Sequence, residues 1–235
     1  MSAVGPTSTA CTLRWRHDAL VRLVASTAMT TAVQFYFDPV CPWTWITSRW
    51  LVEVAEHRDL QITWNQFSLR HRSKSNPGYD RLREEMEDQH PGMRVLAATK
   101  QHHGNAAVDR LYTSLGTLIH YDGDERLARL AEGIAVAGLP AGLIEAGSDA
   151  GWDSVIIEST DRAVDLVGKD AGIPIVVIDG AEHTYFGPVL SPAPTGIKAL
   201  ELWDAYVVLG SIDGIYEIKR TRDVSPLLPA RPAIR

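Results

Sequence analysis

The sequence predicts an α/β chain whose sheet is interrupted by a large all-helical insertion, and three observations carry that reading. A strand-helix-strand pattern comes first, a long block with helical periodicity follows it, and β-branched runs return only after Lys169. Thr31 to Asp38 is rich in aromatic and β-branched residues, which suits a buried strand. A helix is expected from about Pro42 to His57. Pro42 presets φ for the first turn, where its missing N–H costs nothing, and Trp45, Ile46, Trp50, Leu51 and Val54 fall on one stripe. Leu60 to Leu69 alternates as a strand does, with Ile62, Trp64 and Phe67 expected on one side, and the three elements together imply a right-handed parallel unit.

The texture changes at Ser73. Asn76-Pro77-Gly78 marks a turn, and Tyr79 to Gly168 reads as five or six helices, broken near His90-Pro91-Gly92, Gly104, Tyr121-Asp122-Gly123, Gly138-Leu139-Pro140 and Ala150-Gly151. Gly172-Ile173-Pro174 then leads into the strand Ile175-Val176-Val177-Ile178. Asp179-Gly180 signals a hairpin, Thr184-Tyr185-Phe186 is its return strand, and Thr195 to Leu209 is a last amphipathic helix. The expected organisation is an N-terminal extension at 1–28, an α/β domain from 31–72 and 169–223, a helical insertion at 73–168, and an irregular tail at 224–235. The extension is read as a start-site artefact, because Met29 directly precedes the first strand and Arg22 interrupts the only signal-like apolar stretch.

Composition narrows the function classes. With 45% hydrophobic and 22% charged residues among 235, the chain is an ordinary globular protein. A formal net charge of -6 argues against a nucleic-acid partner. No apolar run approaches the roughly 20 residues needed to cross a bilayer, so no membrane partner is expected. Only Cys11 and Cys41 occur, too few for a disulfide framework, which points to a reducing, cytoplasmic setting.

Cys41 is the residue with the clearest chemistry. It stands where the first strand meets the first helix, and the partial positive charge of a helix start is expected to favour its thiolate, making it a candidate nucleophile, the alternative being a small buried core residue. Three positions on, where a dithiol motif would place a second cysteine, the chain has Thr44. The Thr44 hydroxyl shares a helix face with Cys41 and can donate to the thiolate, or it can bond a carbonyl of the preceding turn; it cannot resolve a mixed disulfide. Trp43 and Trp45 either border a cleft or pack in the core. His102 and His103 are adjacent, hence splayed on a helix, and no metal-type spacing is present; His183 falls beside the hairpin turn.

The order of elements is that of a thioredoxin-like fold with an inserted helical domain. Phe37-Asp38-Pro39-Val40-Cys41-Pro42-Trp43-Thr44-Trp45-Ile46-Thr47-Ser48-Arg49-Trp50 resembles the active-site stretch of DsbA-like mycothiol-dependent reductases, departing from their usual Cys-Pro-Trp-Cys only at Thr44. Leu111-Tyr112, Ile119-His120, Ala137-Gly138-Leu139-Pro140, Phe186-Gly187-Pro188-Val189-Leu190, Leu202-Trp203-Asp204 and Lys219-Arg220-Thr221-Arg222 resemble the same family in the same order. The resemblance implies a cis bond at Ile173-Pro174 facing Cys41. It further implies that Cys41 and Thr44 form the catalytic pair and that Pro42, Trp43, Ile173 and Pro174 contact the substrate. Mycothiol would be the thiol cofactor, a disulfide (small-molecule or protein) or a nitro-aromatic compound the substrate, and a homodimer is compatible with it. Gly187-Pro188 and Lys219 to Arg222 would shape or neutralise a site for an acidic small thiol, or the basic residues are plain surface. Two other readings stay open: a thiol-activating enzyme like kappa-type glutathione transferases or 2-hydroxychromene-2-carboxylate isomerases, with Thr44 or Ser48 orienting the cofactor sulfur, and a binding protein with a decayed motif.

Overall fold

The computed structural model of the chain describes residues 30–73, 90–122 and 129–233. The N-terminal extension, with Cys11, and the Asn76-Pro77-Gly78 turn lie outside them. Strand β1 (Thr31–Phe37) runs into helix α1 (Pro42–His57), and β2 (Leu60–Gln66) returns parallel to β1, in register from Thr31↔Leu60 to Phe37↔Gln66. Helices α2 (Leu69–Ser73), α3 (His90–His103), α4 (Asn105–Tyr121) and α5 (Leu130–Val136) follow. Two 3₁₀ segments, Ala141–Ser148 and Ala150–Trp152, then precede α6 (Asp153–Val167). The chain re-enters the sheet as β3 (Ile175–Ile178) and β4 (Tyr185–Phe186), and α7 (Ile197–Leu209) is the last regular element among the described residues. The sheet order is β2-β1-β3-β4, with β3 antiparallel to both neighbours, so β1 and the loop after it are central.

Alternation along β1 divides the core. Val33, Phe35 and Phe37 face one side, with Trp50, Trp64, Tyr112 and Trp203, whereas Tyr36 faces the other, with Cys41, Phe67, Ile175 and Ala163 of α6. Phe67 therefore lies opposite Trp64, contrary to the expectation of a shared side. They are three positions apart, and an odd offset in extended chain reverses the face. Helix α7 is fixed on the first side by Trp50 Nε1 donating to the Ala199 carbonyl at 3.0 Å and by the Tyr206 hydroxyl donating to the Val176 carbonyl at 2.7 Å.

The hairpin is looser than Asp179-Gly180 suggested. The turn forms, with Gly180 at φ 85 and the Ala181 N–H on the Ile178 carbonyl, but the Glu182 and His183 N–H groups both bond the Gly210 carbonyl. Pairing with β3 is thus delayed to Tyr185. The insertion meets α1 by close approach at Gly116 of α4, where a Cβ would stand 2.2 Å from Cζ3 of Trp45. Among the described residues no helix is long and apolar enough to cross a membrane.

Candidate active site

The loop after β1 turns through Asp38, Pro39 and Val40 and delivers Cys41 as the N-cap of α1, with φ -79 and ψ 111. The Cys41 N–H bonds the Asp38 carbonyl at 3.1 Å, and the Cys41 carbonyl accepts the Trp45 N–H at 3.0 Å, which starts the helix. Cys41 is 8% exposed and packs in one cluster with Tyr36, Phe67, Leu69 and Ile173, with Trp43 half-buried against them. The Ile173-Pro174 peptide is cis, and the Pro174 carbonyl accepts the Gly187 N–H at 2.8 Å. Gly187-Pro188 is also cis, and the Thr47 hydroxyl of α1 donates to the Pro188 carbonyl at 2.8 Å. Helix α1 and the two proline loops are thereby held together, and Cys41, Trp43 and Ile173 share one apolar cluster.

Electrostatics at the sulfur differ from the expectation. Burial pushes the Cys41 thiol up and Asp38 adds to the rise; the Thr44 hydroxyl and the Thr44 and Trp43 N–H groups pull it down without prevailing. The helix start acts as anticipated, but desolvation outweighs it, so the resting group is the thiol. Thr44 is fully buried and its proton sits on the Cys41 carbonyl at 3.0 Å, the preceding-turn arrangement. The same hydroxyl also lies within reach of the sulfur, whose pKa it lowers. Ser48 is also fully buried, donating to the Trp45 carbonyl at 2.7 Å and accepting from Arg49 Nε at 3.1 Å, which leaves no proton for a cofactor sulfur.

Asp38 and His120 belong to the site although the sequence reading gave neither a role. Burial raises the Asp38 carboxyl to about 6, against the pull of N–H bonds from Leu69 at 3.0 Å and Val40 at 3.2 Å. A charged residue ending an otherwise apolar strand was the signal available. His120 of α4 lies 3.0 Å from the Pro39 carbonyl through Nε2, an arrangement in which Nε2–H donates, and burial lowers it to about 4. No local signal marks it, because its partner is far away in sequence. Trp45 is a core residue, wholly buried among Tyr112, His120 and Tyr121. Trp43 is half-buried against the Cys41 cluster, and the Arg222 guanidinium lies 4.6 Å from its ring centre.

These shifts make a pH prediction. Folded Asp38 holds its proton to about 6 against an ordinary 3.8, so rising pH removes on the order of 3 kcal/mol of stability across that window. His120 works oppositely: lowered from 6.5 to about 4, it removes stability as pH falls through that range. The two nearly cancel in the wild-type curve. The difference between Asp38→Asn and wild type isolates the first, and urea unfolding should show the variant gaining on wild type between pH 4 and 7. Cys41 alkylation should also be faster in the variant near neutrality, because a charge opposing the thiolate is gone.

His102 and His183 take no part in this cluster. His102 packs edge-on to Trp152, and His183 pairs with Asp213 at 2.9 Å. Glu182, His183 and Asp213 offer ligand atoms within 4.8 Å of one another, a grouping that sequence spacing could not reveal because Asp213 arrives from beyond α7.

Known proteins agree with this architecture. The chain is 27% identical over 207 residues to the uncharacterized protein Rv2286c of Mycobacterium tuberculosis (strain ATCC 25618 / H37Rv), covering 82% of this chain and 83% of that protein. A probable DsbA oxidoreductase, SCO1869 from Streptomyces coelicolor, is similar in structure with TM-score 0.50 and 18% identity, over 82% of this chain and 94% of that one. The cytosolic disulfide reductase DsbM from Pseudomonas aeruginosa, solved with GSH, has TM-score 0.50 and 16% identity, over 76% and 98%. Those two likenesses concern the fold. A family model described as Rv2466c-like, mycothiol-dependent nitroreductase Rv2466c, matches residues 40–220, from the loop before Cys41 to the basic segment near Arg222. The chain therefore belongs to the Rv2466c-like family, thiol-dependent oxidoreductases, here on a DsbA-like thioredoxin fold.

Proposed function

We propose that the chain carries out thiol-disulfide exchange in the cytoplasm with one sulfur, Cys41, and uses an external low-molecular-weight thiol where dithiol enzymes use a second cysteine. The observation that carries this is Thr44, one turn past Cys41 on the same helix and unable to form a disulfide. Cys41, at rest a thiol, first gives its proton to solvent, and the thiolate attacks a substrate disulfide; one S–S bond breaks, a mixed disulfide forms at Cys41, and the substrate's other sulfur leaves as a thiolate that takes up a proton. A second thiol then attacks the mixed disulfide, forms a new disulfide with the bound half and returns the electron pair to Cys41. Mycothiol is the thiol named by the family description, and the similar DsbM structure, solved with GSH, supports a small-thiol partner. The Ile173-Pro174 loop and Trp43 line the partner's approach, with Pro42 at the start of the helix. A nitro-aromatic acceptor fits the same supply of electrons, since oxidation of two thiols to a disulfide releases two.

Release kinetics test the cycle. A mixed disulfide preformed on Cys41 in a Cys11→Ser background should be released at a rate first order in added thiol, with mycothiol compared against glutathione and coenzyme A. Release without added thiol would contradict the proposal. Restoring a dithiol by Thr44→Cys should raise disulfide-reductase turnover about tenfold at limiting external thiol. Unchanged turnover would show that Thr44 is not what makes resolution external.

A further inference from the structure

We infer that Arg222 selects the disulfide that Cys41 attacks, favouring one that carries a carboxylate; this rests on the exchange chemistry proposed above. Trp43 is half-buried against the cluster that holds Cys41 and Ile173, so its ring borders any molecule whose sulfur reaches Cys41. Arg222 lies over that ring at 4.6 Å. A guanidinium held over a ring can still offer N–H groups to a planar anion, and among the described residues no hydrogen bond or ion pair engages Arg222.

The segment bearing Arg222 is irregular but tied down. The Ser191 hydroxyl donates to the Ser225 carbonyl and accepts the Leu227 N–H, both at 2.9 Å. The Tyr121 hydroxyl donates to the Pro229 carbonyl at 2.9 Å, and Arg231 Nη2 reaches Asp122 at 3.1 Å. The chain from Arg222 to Arg231 thus runs from Trp43, past the proline loop at Ser191, to the end of α4. This segment, without regular secondary structure, is held against the rest of the chain. On a chain of net charge -6, an exposed cation beside Trp43 gives local attraction against a repulsive average.

In the step concerned, the probe's carboxylate pairs with Arg222 while its S–S bond breaks. Cys41 retains one half as the mixed disulfide, and the other leaves as a thiolate. Three small probes of similar length separate charge from shape: dithiodipropionate (anionic), hydroxyethyl disulfide (neutral) and cystamine (cationic). Adduct formation on Cys41 is followed by intact mass in wild type, Arg222→Leu and Arg222→Lys, each probe being compared with itself across variants so that leaving-group differences cancel. The anionic-to-neutral rate ratio is expected to fall about tenfold in Arg222→Leu, to recover in part in Arg222→Lys, and to decline with added salt only where the cation is present. The cationic-to-neutral ratio should rise in Arg222→Leu. Equal changes for all three probes, or no change, would overturn the inference while leaving the exchange chemistry standing. Absence of any adduct on wild-type Cys41 would overturn both.

Discussion

Gly116→Ala is expected to destabilise the protein by roughly 3 kcal/mol, against the roughly 1 kcal/mol of helix propensity that alanine brings to α4. The added methyl would stand 2.2 Å from Cζ3 and 2.4 Å from Cε3 of Trp45. That ring has nowhere to go. Tyr112 lies edge-on at 5.5 Å, His120 at 5.6 Å, Tyr121 at 6.3 Å, and the Arg49 guanidinium covers it at 4.3 Å. Gly133→Ala is the matched control, because its methyl would meet the far end of Leu115, a Cδ2 at 2.5 Å that rotation can withdraw. Urea unfolding should separate the two by at least about 2 kcal/mol. Equal effects would show that Trp45 does not hold the helices at fixed distance. The same strain would reach the active-site loop, since His120 bonds Pro39 from the end of α4.

Replacing Cys41 by Ser should abolish disulfide exchange, with turnover lower by at least about a thousandfold, while leaving the unfolding midpoint little changed. A hydroxyl is close to a thiol in size, but no other sulfur of the described residues can replace this one. Turnover that survives Cys41→Ala and still requires added thiol would move the chemistry to a bound cofactor sulfur. Thr44 would then be the group left to orient it, Ser48 being committed inside α1.

Much of the frame was legible because its causes are local. Pro42 at the first turn and the stripe from Trp45 to Val54 place α1 at the observed limits, and the β-branched run Ile175 to Ile178 places β3. The stretch from Ala141 to Trp152 reads as helix but folds as 3₁₀ segments, a distinction that apolar periodicity does not encode over so few residues. The candidate nucleophile was legible for the same local reason, a cysteine before a helix-starting proline. Its electrostatic state was not. Phe67 and Ile173 come from distant segments to bury Cys41, and their desolvation outweighs the nearby N–H groups. Arg222 likewise stood in a recognisable basic segment, but nothing local says that the segment is carried back onto Trp43.

In the proposed cycle one sulfur, Cys41, carries the bond exchanged with a small thiol. Intact mass and peptide mapping after incubation with oxidised mycothiol test it most directly. The account predicts a single mycothiol adduct on Cys41, removed by reduced thiol and absent in Cys41→Ser. An unmodified Cys41, or a Cys11–Cys41 disulfide formed in place of the adduct, would contradict it.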